Sequence, residues 1–475
     1  MVFNSYTFIV FFALLLCLHY APLSWNIKKI NLLWASYLFY ALWNPPFILL
    51  LWLSTVVDFF AAKLIAQQEN HYRRKLLLAV SLVLNLGMLS YFKYGNFLLE
   101  NFTALASMAG IAFHAPKADI ILPVGISFYT FVTLSYTIDV YRKKFPPEKS
   151  FLDFALFVTY FPHLVAGPIV RPENLIPQFK EPKQANKEQL TWGLFLLTFG
   201  LFLKVVVADG WVAETSDFLY GLPFPLNPLD TWTAVFAFSA QIFCDFAGYS
   251  TCAIGVSLCL GFTLPENFRY PYASIGFSEF WRRWHITLST WLRDYLYIPL
   301  GGNRLGKFRT YINLMITMLL GGLWHGASWT FVMWGGLHGL YLCIERLFRK
   351  RGAEPSAAPI PKTVKNLIRA LLTFVVVSIT WIFFRATTFQ KAMLMMLGLF
   401  GIIPDAPKMA STLDIYKVAI VTVGIFTCHW LMRDSSVEKL VNKMPWWLFG
   451  LGWGILLVLI VISQKSSGSF IYFQF

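Results

Sequence analysis

Two histidines are the residues of this chain best suited to acid–base chemistry. His285 lies in the basic, aromatic run Phe280-Trp-Arg-Arg-Trp-His285, and His325 lies in the apolar, glycine-rich run Gly321-Gly-Leu-Trp-His325. An unperturbed imidazole titrates at a pKa of about 6.5, which suits proton transfer at neutral pH. Because His325 has almost no ionisable neighbour in its apolar segment, it is a candidate functional residue of a membrane protein.

From the residues alone, a structural role is favoured for both histidines. His325 could bond a neighbouring carbonyl in a helix contact, and His285 could belong to an aromatic belt at the membrane interface. His338 follows thirteen residues after His325. If one helix carried both, His338 would lie roughly 220° around the axis and face elsewhere. We therefore expect His338 to be a packing residue.

A cluster of basic residues surrounds His285 in the sequence. Its members are Arg282, Arg283, Arg293, Arg304, Lys307 and Arg309. Phosphate-bearing ligands and anionic lipid headgroups would both be attracted to such a cluster, and it could equally be a topology signal. The sequence contains no Walker loop, no GxGxxG motif and no cluster with metal-ligand spacing, so we predict no metal site.

The composition is that of a membrane protein. Of the 475 residues, 57% are hydrophobic and only 13% are charged, against about 25% charged in soluble proteins. Apolar runs approaching the roughly 20 residues needed to cross a bilayer recur along the whole chain. The net charge of +15 is then explained by basic cytoplasmic loops, and no nucleic-acid partner is expected. The six cysteines form no CxxC pair, and we expect Cys244, Cys252 and Cys259, which recur about every two helical turns in one apolar segment, to be core residues.

The distribution of charge predicts a topology. The first apolar run, Tyr6 to Leu18, lacks a basic n-region and a clear cleavage site, so we expect a retained first helix rather than a signal peptide. Basic loops fall on the cytoplasmic side, and the loop 209–230, which has acidic residues and no Lys or Arg, falls outside. This scheme gives eleven to twelve crossings if 151–167 and 278–298 do not cross the membrane.

The stretch 278–298 predicts one interfacial or re-entrant amphipathic helix. Ser278 would cap it, with Glu279 in its first turn. Aromatic and apolar residues recur on one side at helical spacing, and polar residues occupy the other. The apolar side comprises Trp281, Trp284, Leu288, Trp291 and Tyr295, and the polar side Arg282, Arg283, Thr290 and Arg293. A hydrophilic linker with Pro355, Pro359 and Pro361 follows later, between Arg346 and Arg369.

Several motifs together resemble the membrane-bound O-acyltransferase family, in particular its bacterial branch for alginate O-acetylation and D-alanyl transfer to teichoic acid. The motifs span nearly the whole chain. They are Leu122-Pro-Val-Gly-Ile-Ser-Phe-Tyr129, Ile138-Asp-Val-Tyr-Arg142, Phe161-Pro-His-Leu-Val-Ala-Gly-Pro168, Gln241-Ile-Phe-Cys-Asp-Phe-Ala-Gly-Tyr-Ser250, the run from Phe280 to Arg304, Leu323-Trp-His325-Gly-Ala-Ser-Trp-Thr-Phe331, Trp381-Ile-Phe-Phe-Arg-Ala386 and the closing Phe470-Ile-Tyr-Phe-Gln-Phe475.

The resemblance implies an all-α, polytopic membrane bundle with re-entrant helices around a central tunnel, formed by residues 1–475 as a single domain. It implies that His325 is the essential histidine and that His285 is its polar partner. The basic residues Arg282, Arg283, Arg293 and Arg304 would then hold the phosphates of coenzyme A.

The resemblance also implies a function. We expect acetyl-coenzyme A to be the acyl donor, as a substrate rather than a bound cofactor. The acceptor would be a polysaccharide or a periplasmic acetyl-accepting protein outside the bacterial inner membrane. Two alternatives stay open: D-alanyl transfer from a carrier protein, and a transporter or flippase that performs no covalent chemistry.

Overall fold

The computed structural model describes residues 2–113, 116, 119–348, 362–403 and 405–463. Over these residues the chain forms helices and no strand, which confirms the predicted all-α class. The helices are α1 (Tyr6–Tyr20), α2 (Trp25–Ala41), α3 (Ile48–Gln67), α4 (His71–Leu89), α5 (Gly95–Met108), α6 (Ile126–Tyr141), α7 (Phe151–Thr159), α8 (Phe161–Leu164), α9 (Pro172–Leu175), α10 (Lys187–Leu201), α11 (Glu214–Gly221), α12 (Pro228–Cys259), α13 (Phe277–Arg283), α14 (Ile286–Leu292), α15 (Gly306–His325), α16 (Trp329–Phe348), α17 (Val364–Arg385), α18 (Phe389–Leu399), α19 (Thr412–Met432), α20 (Val437–Val441) and α21 (Trp446–Ile462).

The chain divides into two compact units. Unit 1 comprises Met1–Leu197 with Cys252–Pro265, and unit 2 comprises Thr198–Thr251 with Glu266–Phe475. The prediction of a single domain over 1–475 stays a prediction. Two predicted features, the prolines of the linker within 346–369 and the closing run 470–475, lie outside the described residues.

Six helical stretches in the described part of the chain are long and apolar enough to cross a membrane. They are Pro45–Gln67, His71–Met108, Lys187–Gly221, Pro228–Cys259, Val364–Arg385 and Thr412–Met432. The eleven to twelve crossings predicted from the sequence exceed this number. That prediction also counted shorter or less apolar helices, such as α1 and α15. The segment 151–167 is interrupted at Tyr160, between α7 and α8, as its proline and glycine residues predict.

Unit 1 holds a buried network of polar side chains from α3, α4 and α6. The Asp58 carboxylate accepts hydrogen bonds from the Ser81 hydroxyl, from Thr137 Oγ1 at 2.8 Å and from Asn85 Nδ2 at 2.7 Å. Ser54 Oγ donates to Asn85 Oδ1 at 2.6 Å. All of these side chains except that of Thr137 belong to α3 or α4, and all five are fully buried. The network therefore ties three helices together inside an apolar unit.

The segment 209–230 is largely helical, so the prediction of a loop was wrong, whereas its placement outside stays a prediction. A π-helical segment, Phe202–Ala213, continues α10, and α11 follows it. Lys204 Nζ pairs with Asp209 Oδ1 at 2.9 Å and with Asp245 Oδ1 of α12 at 2.7 Å. In a π-helix, residues five apart lie on the same face, which brings Lys204 and Asp209 together. The pairing explains how Asp209 can lie in a helix of a membrane protein.

Candidate active site

The backbone breaks at His285, so the prediction of one amphipathic helix over 278–298 was wrong. The chain forms two short helices, α13 and α14, separated by an extended Trp284 and a left-handed His285 with φ 43° and ψ 54°. Ser278 lies inside α13, and Gly276 is the residue before its first turn. A positive φ is uncommon outside glycine, and such strained residues cluster at functional sites.

Two backbone hydrogen bonds hold the chain on either side of His285. The Arg269 N–H donates to the Arg283 carbonyl at 2.9 Å, and the Ile286 N–H donates to the Asn267 carbonyl at 2.9 Å. The segment 267–269 therefore clamps residues 283 and 286 from one side. This clamp stabilises the left-handed conformation, whose cost is of order 1–3 kcal/mol.

An ion-paired network fixes α13, which precedes the break. Glu279 Oε1 accepts from Arg283 Nε at 2.8 Å and from Arg433 Nη2 at 2.5 Å, and Glu279 Oε2 accepts from the Ile275 N–H at 2.8 Å. Burial by itself would raise the pKa of Glu279. The hydrogen bonds from Arg433 and Ile275, together with both arginine charges, outweigh this effect and lower the pKa below its ordinary value.

The four arginines predicted to bind phosphate differ in their surroundings. Arg283 is already bonded within the protein. Besides its ion pair with Glu279, its Nη1 donates to the carbonyls of Arg269 and Arg433 at 3.1 and 2.9 Å. The other three, Arg282, Arg293 and Arg304, have exposed side chains. Arg293 Nε forms an exposed ion pair with Asp294 Oδ1 at 2.6 Å. The role of all four arginines in phosphate binding stays a prediction.

His285 and His325 lie side by side in unit 2. Their ring centroids are 6.2 Å apart, and the two side chains are 0% and 3% exposed. Phe246 of α12 packs edge-on against His285 at 4.6 Å, and Trp324 lies 5.9 Å from the same ring. Two residues distant in the sequence thus meet in one buried cluster of rings, which we call the histidine cluster.

The position of His325 follows from the contact between α15 and α16. His325 is the last residue of α15, and the extended Gly326 ends that helix. The two helices pack closely because a Cβ at Gly322 would lie 2.3 Å from the Phe331 carbonyl oxygen, and a Cβ at Gly335 would lie 2.2 Å from that of Met318. Glycine is required at both positions for this approach.

The expectation that His338 faces away from His325 rested on a helix geometry that the structure does not have. The expectation assumed one helix through both residues, but the chain breaks after His325 and α16 begins only at Trp329. The Trp334 ring lies 5.1 Å from the His325 ring and 4.9 Å from the His338 ring. His338 thus belongs to the histidine cluster. The run Gly326-Ala-Ser328 was the sequence signal for this break.

Other members of the histidine cluster carried little signal in the sequence. Trp381 of α17 stacks on Trp334 at 5.4 Å, and Phe384 packs against His325 at 5.2 Å. Both belong to the run 381–386, which was noted for the resemblance and for no role in the site. Over the part of the chain that the structure describes, no group of three His, Cys, Asp or Glu side chains could hold a metal ion.

Comparison with models of protein families shows to which family this chain belongs. The model of the membrane-bound O-acyltransferase family matches residues 7–387. The chain belongs to this family. It is therefore a multi-pass membrane O-acyltransferase, which confirms the resemblance, the polytopic helical fold and the enzyme class predicted from the motifs.

This O-acyltransferase is similar to proteins named for O-acetylation and to proteins named for D-alanyl transfer. A probable alginate O-acetylase of Azotobacter vinelandii is 42% identical over 84% of this chain and 78% of its own length. A peptidoglycan O-acetyltransferase of Helicobacter pylori is 36% identical over 94% of this chain and 91% of its own. A teichoic acid D-alanyltransferase of Bacillus subtilis is more distant, at 28% identity over 50% of this chain and 62% of its own length.

Proposed function

We propose that this protein transfers an acetyl group from cytoplasmic acetyl-coenzyme A to a hydroxyl group on the outer side of the bacterial inner membrane, for O-acetylation of a surface polysaccharide. The proposal rests on the buried pair His285 and His325, whose ring centroids are 6.2 Å apart, in a member of an O-acyltransferase family. The relatives named for O-acetylation, at 36–42% identity, support acetyl as the transferred group.

The proposed reaction is an acyl transfer from sulfur to oxygen. His325 acts as general base and takes the proton of the acceptor hydroxyl while its oxygen attacks the thioester carbonyl carbon. The carbon–sulfur bond breaks, and the coenzyme A thiolate leaves and takes up the proton from His325. Acetyl-coenzyme A and an alcohol thus become an acetyl ester and coenzyme A. His285 orients the substrate or stabilises the negative charge that develops on the carbonyl oxygen.

The surroundings of the two histidines suit this chemistry. Both rings are buried among aromatic side chains, Phe246, Trp324 and Trp334, which exclude water from the reacting groups. Exclusion of water strengthens electrostatic stabilisation and protects the thioester from hydrolysis. No resident cofactor or metal is part of the proposal.

The exposed guanidinium groups of the segment that contains His285 would bind the donor. Arg282, Arg293 and Arg304 lie on the polar surface of the same chain segment as His285, and Arg is suited to bidentate binding of phosphate. Arg283, by contrast, would support α13 through Glu279. On the outer side, a periplasmic protein with a serine nucleophile, or the polysaccharide itself, would receive the acetyl group.

D-Alanyl transfer is the second candidate, supported by the relatives named teichoic acid D-alanyltransferases. Their identities of 27–28% over about half of this chain make it the weaker of the two. The mass of the ester on the modified polymer separates the two reactions, since acetyl and alanyl groups differ in mass and only the alanyl group carries an amine.

Release of coenzyme A by the purified protein tests the proposal. We expect free thiol to appear when the protein is given acetyl-coenzyme A and a hydroxyl acceptor, and His325→Ala to abolish this release. A transporter or flippase would move intact substrate and leave the thioester whole. Release that continues unchanged in His325→Ala would contradict the role of His325 as the base.

A further inference from the structure

The hydrogen bonds of His338 determine which of its ring nitrogens carries the proton. His338 Nε2 lies 3.0 Å from Thr380 Oγ1, and Thr380 Oγ1 donates its single proton to the Val377 carbonyl at 2.7 Å. Since a hydroxyl has one proton, Thr380 must accept from His338, and Nε2 carries the hydrogen. His338 Nδ1 is then an unprotonated acceptor in the neutral ring.

Three polar atoms on neighbouring rings of the histidine cluster have no protein partner. They are His338 Nδ1 and the indole Nε1 atoms of Trp334 and Trp381. The side chains are 0%, 1% and 0% exposed, and the three ring centroids lie within 6.5 Å of one another. A buried polar group without a partner is unfavourable and rare in native proteins. Two fully buried donors and one acceptor are therefore left for a ligand, and the less buried Trp281, whose ring centroid lies 5.2 Å from that of His338, offers a third donor.

A hydroxyl group has the complementary set, because it donates one hydrogen bond and accepts two. The centroids of the His338 and Trp334 rings are 4.9 Å apart, so one small group lies within reach of both rings.

We propose that His338, Trp334 and Trp381 form a subsite that binds one hydroxyl group of the acyl acceptor. The inference rests on the proposed function and adds a binding determinant to it. Trp334 contacts both histidines, so an acceptor held at this subsite lies beside His325, the proposed base. His338 is then a positioning residue for the acceptor, and it is separate from the phosphate-binding arginines of the donor.

Two substitutions of His338 separate its two nitrogens. In His338→Asn, the amide oxygen takes the approximate place of Nδ1 and keeps an acceptor for the hydroxyl. In His338→Gln, the longer side chain reaches the place of Nε2 and retains the bond to Thr380, but the acceptor at Nδ1 is lost. A role in packing alone would not distinguish the two variants in this direction.

Membrane vesicles from the producing bacterium, with their cytoplasmic face outward, contain the natural acceptor and are given radiolabelled acetyl-coenzyme A. The ratio of labelled ester to released coenzyme A measures how much acetyl reaches the acceptor rather than water. We expect this ratio to fall by at least about tenfold in His338→Gln and to stay within about threefold of wild type in His338→Asn, as the loss of one buried hydrogen bond implies.

His429 provides the matched control in the same unit. It is buried, and its Nδ1 accepts a hydrogen bond from the Tyr272 N–H at 3.3 Å, so its role is structural. His429→Gln and His429→Asn are expected to change thermal stability and to leave the ratio of ester to coenzyme A unchanged.

Three results would overturn the subsite. The first is an unchanged ratio in His338→Gln, which would leave only a water molecule at these atoms. The second is an equal fall in both His338 variants. The third is loss of coenzyme A release itself, as in His325→Ala. Failure of the proposed function has a different signature, since the wild-type protein would then release no coenzyme A at all.

Discussion

The polar network of unit 1 and the histidine cluster of unit 2 are both fully buried, but they differ in how completely their hydrogen bonds are satisfied. Asp58 accepts from three neutral donors, and none of its network partners is left without a bond. His338 Nδ1 and the indole nitrogens of Trp334 and Trp381 have no protein partner. A saturated network is complete without a ligand, whereas an unsaturated one has polar groups available to bind it.

The comparison also separates two uses of polar residues inside a membrane protein. The network of Asp58 joins three helices and supplies stability, because each of its bonds replaces a bond to water. The histidine cluster consists of large rings with few hydrogen bonds among them. Its substitution is expected to change the reaction more than the fold, and the reverse holds for Asp58.

The largest effect is expected for His325→Ala. Loss of a general base lowers the rate of acyl transfer by roughly 10²- to 10⁴-fold, while the thermal stability of the protein in detergent changes little. Coenzyme A release and the unfolding temperature are measured on the same preparation. A variant that loses stability and activity in parallel would show that His325 is a packing residue and would remove the contrast between the two regions.

The next largest effect is on stability and comes from Asp58→Ala. Its removal leaves the donors of Ser81, Asn85 and Thr137 without their acceptor, and we expect the free energy of unfolding to fall by about 3–5 kcal/mol. The acyl-transfer rate per folded molecule should stay close to wild type. Asp58→Asn, which keeps the shape and one acceptor, is the control with the smaller loss. A large fall in the rate with intact stability would place Asp58 in the reaction instead.

The arginines near His285 offer a comparison within unit 2. Arg304→Ala is expected to raise the KM for acetyl-coenzyme A by roughly three- to tenfold, because one charge-assisted bond to phosphate is lost, and to leave stability unchanged. Arg283→Ala removes an ion pair with Glu279 and should lower stability. Steady-state kinetics and thermal unfolding distinguish the two. Equal effects of both substitutions on KM would make Arg283 a donor-binding residue as first predicted.

The smallest expected effect is a pH dependence of the protein's stability that arises from Glu279. Its pKa is lower in the folded protein than the value of about 4.3 expected in the unfolded chain. The ionised carboxylate therefore contributes stability above pH 4.3, and this contribution is lost as the pH falls through the lower, folded pKa. Glu279→Gln should be less stable than wild type at pH 7, with a difference that shrinks below about pH 4. A difference in stability between Glu279→Gln and wild type that stays constant across this pH range would contradict a stabilising role of the ionised Glu279 carboxylate.

Much of the architecture could be predicted from the sequence, because hydrophobic length and charge govern helices in a membrane. The family could be recognised from motifs around His285 and His325, and the same motifs pointed to these two residues. Their proximity could not be read from spacing. It arises because α15 ends at His325 and because residues 267–269 hold the chain at His285, which are tertiary effects.

The predictions for 278–298 and for the loop at Asp209 were wrong for the same reason. The aromatic periodicity of 278–298 suggested one helix. The Arg269 N–H donates to the Arg283 carbonyl and the Asn267 carbonyl accepts from the Ile286 N–H, and these two bonds stabilise a left-handed residue in the middle of the segment. Asp209 suggested a loop, but Lys204 neutralises it within a π-helical segment. In both cases a partner distant in sequence, or an unusual helical repeat, outweighed the local pattern that the sequence displays.

The most direct test of the account follows the acetyl group itself. Membrane vesicles with the cytoplasmic face outward are given acetyl-coenzyme A labelled with carbon-13, and the polymer or acceptor protein inside is examined by mass spectrometry. We predict labelled acetyl esters in vesicles with the wild-type protein and none with His325→Ala. Unlabelled polymer in the wild-type vesicles, or alanyl esters in place of acetyl esters, would contradict the proposed transfer.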